Sequence, residues 1–122
     1  MTNSAERGIG LRAPAIFPLL FCEGPHAAHC RAVELSASGV VVERGRELSE
    51  RERKAGVKLE LFLPDQRGPI RALAKVVRAV NRTRYALKFV LISDVDRLTL
   101  MEYLDAQRLQ SLRLLDEVAG AA

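Results

Sequence analysis

The chain has 122 residues, enough for one domain with a real core and no need of disulfide staples. Hydrophobic residues make up 48% and charged residues 28%, which excludes disorder over most of its length, and an aromatic content of 5% with no Trp weighs against a base-stacking nucleic-acid platform. The net charge is +4, with Lys and Arg spread along the chain, so an anionic partner is admissible but no basic block marks a nucleic-acid footprint.

Residues 1–12, MTNSAERGIGLR, have no periodicity and contain two glycines; they are expected to form a flexible N-terminal arm. Residues 15–22 read as a strand. The stretch APAIFPLLFC (13–22) imitates a signal-peptide core, but it contains two prolines and is followed by no convincing cleavage site, so no signal peptide is expected. No apolar run reaches the roughly 20 residues of a membrane helix. With only two cysteines, no disulfide framework is expected, and the protein reads as cytoplasmic with reduced thiols. EGPHAA (23–28) carries turn chemistry at Gly24 and Pro25. HCRAVEL (29–35) alternates, with Cys30, Ala32 and Glu34 on one face and Arg31, Val33 and Leu35 on the other.

A Ser/Gly turn follows, then VVVE as a third strand. Residues 43–56 are a charged connection with room for one helical turn. VKLELFLP (57–64) is a half-buried strand with Val57, Leu59, Leu61 and Leu63 on its inner face. PIRALAKVVRAV (69–80) alternates through Ile70, Ala72, Ala74 and Val76 and slips phase at Val76-Val77, which predicts a bulge. RYALKFVLI (84–92) is expected to point Tyr85, Leu87, Phe89 and Leu91 inward. Six short strands with tight turns predict a small antiparallel β-barrel over 13–92.

A long C-terminal helix over 93–119 completes the expected architecture. Ser93 with Asp96 resembles a capping start, and Gly120 is a stop signal. Val95, Leu98, Met101 and Leu104 form a first stripe, expected to pack on the barrel. Leu109, Leu112 and Leu115 continue it beyond the barrel's reach, which predicts an exposed interface for self-association or a protein partner.

Common catalytic signatures are missing, so no enzymatic activity is expected. Cys22, His26, His29 and Cys30 are all competent zinc ligands within nine residues. Their spacing matches no common zinc pattern, and adjacent strand residues point to opposite faces. Two small thiols with surface histidines are the better reading, and no metal is expected.

ELSASG (34–39), with an arginine pair upstream, resembles the signature of the PilZ domain family. That signature is R-x-x-x-R just before the first strand, then D or N-x-S-x-x-G after the second. The order of the later strands and a helix starting near DVDRL are similar to the family from residue 7 to 115. The resemblance implies a six-stranded antiparallel barrel followed by one α-helix that binds cyclic di-GMP, a bacterial second messenger, through Arg7, Arg12, Glu34, Ser36 and Gly39. It implies arginine bonding to guanine or phosphate, an acidic side chain accepting guanine N–H groups, a serine hydroxyl contact, and a glycine turning the backbone with φ > 0 near the ligand. Two departures stand out. Arg7 and Arg12 are spaced R-x-x-x-x-R, and Glu34 replaces Asp or Asn. Two readings follow: a cyclic di-GMP receptor relaying to a protein partner, or a degenerate PilZ-like adaptor working by protein contact alone. A generic small-barrel module for RNA or acidic partners is a third, disfavoured by the low aromatic count.

Overall fold

The computed structural model describes residues 13–23, 25–64, 66 and 68–121. The strands are β1 (Ala13–Glu23), β2 (His26–Leu35), β3 (Gly39–Glu43), β4 (Gly56–Leu61), β5 (Ile70–Ala79) and β6 (Arg84–Ile92). Short helix α1 (Glu50–Lys54) lies between β3 and β4, and α2 (Asp94–Ala121) follows β6. All six strands pair antiparallel into a closed barrel in the order β1-β2-β3-β6-β5-β4. The expected barrel-plus-helix architecture is therefore present. The expected arm, residues 1–12, lies outside the described residues.

Alternation fills the barrel. Val57, Leu59 and Leu61 of β4 point inward with Ile70, Ala72 and Ala74 of β5, and Phe17, Leu19 and Phe21 of β1 face them. Leu63 is buried as expected, although β4 ends at Leu61. The turn expected over 23–28 is tighter than read. Strand pairing runs from Glu23 to His26, so Ala27 and Ala28 belong to β2.

Bulges in β5, β2 and β6 set which of their side chains face inward. In β5 the register skips Val77 between pairs Val76–Leu87 and Arg78–Ala86, where the phase slip was expected. In β2 it skips Val33, so Ala32 and Leu35 both reach the core. In β6 it skips Val90, which corrects the expected inward face: Leu91 is 68% exposed and Ile92 takes the core position. One extra residue reverses the two-residue alternation beyond it.

The charged connection after β3 does hold a helical turn. Ser49 caps α1 with a capping box: its Oγ accepts from the Glu52 N–H at 3.1 Å, and Glu52 Oε1 accepts from the Ser49 N–H at 2.9 Å. Arg46 donates both terminal nitrogens to the same carboxylate, at 3.1 and 2.6 Å. These bonds hold Glu52 well below the usual carboxylate range, with Arg46 the largest cause. Just upstream, Leu48 is buried and its N–H donates to the Tyr85 hydroxyl at 2.8 Å. That hydroxyl donates in turn to the Arg82 carbonyl at 3.2 Å. Tyr85 thus fastens the β3–α1 connection across the end of the barrel.

Helix α2 starts as read, with Ser93 Oγ accepting from the Asp96 N–H at 3.1 Å. It runs through Gly120 instead of stopping there. Its packed face differs from the one expected. Asp96 Oδ2 accepts from the Arg71 N–H of β5 at 3.2 Å, which fixes the helix's rotation at its first turn. The face one and two turns on from Asp96 is the one that meets the barrel. Leu100 and Leu104 are buried, with Tyr103 packed beside them. Val95, Leu98 and Met101 point to solvent. Among the described residues no helix is long and apolar enough to cross a membrane.

Candidate functional site

The turn between β2 and β3 is built by one serine. Ser36 Oγ accepts from the backbone N–H groups of Ser38 at 3.3 Å and Gly39 at 3.2 Å. The Ser36 N–H donates to the Gly39 carbonyl at 2.9 Å, closing the loop. Beyond it, the Phe89 N–H of β6 donates to the Ser38 carbonyl at 2.8 Å, which ties the turn to the neighbouring strand. A side chain that spends its hydroxyl this way holds two backbone amides in a fixed direction at the strand end.

Gly39 is required for a reason other than the one expected. Among the described glycines only Gly45 has positive φ, at 82°. Gly39 instead sits in extended backbone opposite Lys88, where an added Cβ would lie 2.2 Å from the Leu87 carbonyl oxygen. Only a residue without a side chain lets β3 approach β6 this closely.

These residues line a concave surface of about 210 Å³ across β2, β3, β6 and β5. Glu34, Ser36, Ser38 and Gly39 form one wall, and Val77, Arg78, Leu87 and Lys88 form the other. Of the residues read from the sequence, the structure brings Glu34, Ser36 and Gly39 to this one surface. Arg7 and Arg12 lie outside the described residues. The first described residue, Ala13, pairs with Leu35, and Pro14 pairs with Glu34, so β1 begins beside the site. The Glu34 atom Oε1 is withdrawn from solvent.

Arg78 and Lys88 were not read as site residues. Neither makes an ion pair within the described residues, and both are exposed. The bulge at Val77 carried the signal for Arg78, since a bulge re-aims the side chain that follows it. Lys88 is the residue opposite Gly39, a pairing that sequence spacing does not reveal.

The cysteine and histidine cluster lies elsewhere, on β1 and β2. His26 and His29 are exposed, while burial pushes the Cys30 thiol up despite the nearby Arg44. Among the described residues no group of three or more His, Cys, Asp or Glu side chains is arranged to hold a metal ion.

The sequence profile of the PilZ domain matches residues 4–106. The chain belongs to the PilZ domain family. That span takes in the whole barrel and the first half of α2. The fold is similar to that of the Bacillus subtilis inhibitor of motility, MotI/DgrA, at 23% identity and a TM-score of 0.70. The match covers 81% of this chain and 49% of that one, so this chain spans about half the length of that protein. It is also similar to the PilZ domain of CeSA from a cellulose-synthesizing bacterium, at 15% identity and a TM-score of 0.60, over 80% of this chain and 97% of the other. At such identities the likeness is one of PilZ fold. No curated protein matches the chain.

Proposed function

We propose that this PilZ domain is a cyclic di-GMP receptor that passes the second-messenger signal to a protein partner, acting by binding and not by catalysis. The observation that carries the reading is the Ser36–Gly39 turn, which sets a surface holding Gly39 beside one carboxylate and two cations that make no ion pair among the described residues. The ligand carries two phosphates and two guanines. Arg78 and Lys88 suit the phosphates, and the carboxylate of Glu34 suits guanine N–H donors. Pockets that enclose a ligand of drug size run to about 300–1,000 Å³, so a 210 Å³ surface holds only part of a dinucleotide. The remainder needs a cover. Residues 1–12 carry Arg7 and Arg12, and β1 begins beside Glu34. An arginine laid over the ligand bonds guanine O6 and N7 with two parallel N–H groups, or a phosphate in the same fashion.

Calorimetric titration of the purified protein with cyclic di-GMP tests the proposal. Binding is expected, and Arg12→Ala should weaken it by about tenfold to a hundredfold, the loss of a charge-assisted contact worth about 1.5–3 kcal/mol. Arg7→Ala should cost less, given its displaced spacing. A folded protein that takes up no nucleotide would be the degenerate adaptor instead, and equal affinity for wild type and Arg12→Ala would remove the arginine from the site.

A further inference from the structure

Helix α2 turns one apolar face to the barrel and leaves a second one uncovered. Leu98, Met101, Leu112 and Leu115 are between 46% and 65% exposed. With Asp105 and Arg108 they fall at alternating spacings of three and four residues, so all six lie along one seam. The seam from Leu98 to Leu115 is about 26 Å long at 1.5 Å per residue. It carries two charges at its middle and apolar residues at both ends. Among the described residues neither Asp105 nor Arg108 makes an ion pair within its own chain.

The order of these residues reads as its own complement when reversed. We propose that the seam pairs with the same seam of a second copy, antiparallel, about a two-fold axis passing between positions 106 and 107. In that register Leu98 faces Leu115 of the second copy, Met101 faces Leu112, and Asp105 faces Arg108. Every contact occurs twice, as a two-fold interface requires. Each buried carboxylate meets a guanidinium, which is the condition for placing charges in an apolar seam without a large loss. The parallel alternative sets Asp105 on Asp105 and Arg108 on Arg108, so the charges select the antiparallel arrangement as well as the partner. The barrels stay clear of the seam, because Leu100 and Leu104 hold them on another side of the helix.

Sedimentation velocity over a concentration series tests the pairing. The unmodified protein is expected to self-associate. Asp105→Arg sets arginine against arginine and should weaken association at least about tenfold. The double reversal Asp105→Arg with Arg108→Asp should bring it back to near the original strength. Both sites are exposed in the single chain and remote from its core, so circular dichroism and the urea midpoint, read at a concentration where the protein is monomeric, should be unchanged in both variants. A protein that stays monomeric up to millimolar concentration overturns the proposal. So does self-association that the single reversal leaves untouched or the double reversal fails to restore.

Discussion

Gly39→Ala places the smallest possible side chain where β3 passes β6. The new Cβ would stand 2.2 Å from a backbone oxygen, Leu87 O, which cannot swing aside as a side-chain tip can. Relief requires the two strands to part by about 1 Å in a barrel packed to crystal-like density. At that separation the 2.8 Å bond from the Phe89 N–H to the Ser38 carbonyl is lost, and the Gly39–Lys88 pairing is loosened. One or two backbone hydrogen bonds at about 1 kcal/mol each, added to about 1–3 kcal/mol for overpacking, give a destabilisation of about 2–5 kcal/mol. Gly56→Ala is the matched control, because its Cβ would meet only Leu73 Cδ1 at an ordinary 3.8 Å. Losing glycine's unfolded-state freedom there should leave stability unchanged or raise it by up to about 1 kcal/mol. Urea denaturation followed by circular dichroism reads both. Coincident midpoints for the two variants, or a Gly39→Ala loss under about 0.5 kcal/mol, would refute the close-approach argument. Because Gly39 lines the candidate site, cyclic di-GMP affinity should fall in the same variant, while Gly56→Ala keeps it.

Glu34→Asp shortens the carboxylate by one methylene towards the family's usual residue; calorimetry should show tighter cyclic di-GMP binding, and weaker binding would mean that Glu34 is already well placed. Tyr85→Phe leaves the buried Leu48 N–H without its acceptor and should cost about 1–3 kcal/mol in a urea melt, whereas no loss would separate the connection from barrel stability. Folding lowers the Glu52 pKa from 4.5, so the unfolded chain takes up that proton more readily. Its contribution is whole above about pH 4.5 and fades as the pH falls towards the lower folded value. The Arg46 side chain is about half exposed, so screening holds the effect below about 1 kcal/mol; Glu52→Gln should flatten that part of the stability–pH curve, and an unchanged curve would exclude the pair as its source.

The sequence made the barrel readable because its strands alternate cleanly, as in Val57–Leu59–Leu61, and because the doubled valine announced the β5 bulge. The Val90 bulge was hidden. It sits in FVLI, a run apolar at every position, where either phase satisfies the pattern and only pairing with Leu73 and Ala74 decides. The helix face failed for a similar reason. Leucines at 98, 100 and 104 with Met101 offer two faces of comparable hydrophobicity, and the choice is made by Asp96 bonding a strand amide 25 residues away in sequence. At the site, the local motif disclosed Glu34, Ser36 and Gly39. Arg78 and Lys88 arrive from strands far along the chain, and Gly39 is needed for strand separation, a property of two chains of backbone that one stretch of sequence does not express.

The barrel is closed, but its closing seam is half sewn. β1 is paired with β2 over nearly its whole length, yet with β4 only through Leu19–Cys22 and the Phe62 N–H to Pro18 carbonyl bond. Among the described residues the segment before Pro18 has β2 as its one strand partner, with α2 packed against β1 besides, and its register against β2 is interrupted between Pro14 and Phe17. Prolines at 14 and 18 suit such a margin, since neither has an N–H to offer a second neighbour. The two rims of the cylinder are therefore closed differently. At one rim the Tyr85 hydroxyl ties the β3–α1 connection to the barrel, while at the rim beside Glu34 the start of β1 pairs with β2. A molecule that bridges β1 to the β2–β3 turn would add there the second partner that β4 supplies to β1 farther along.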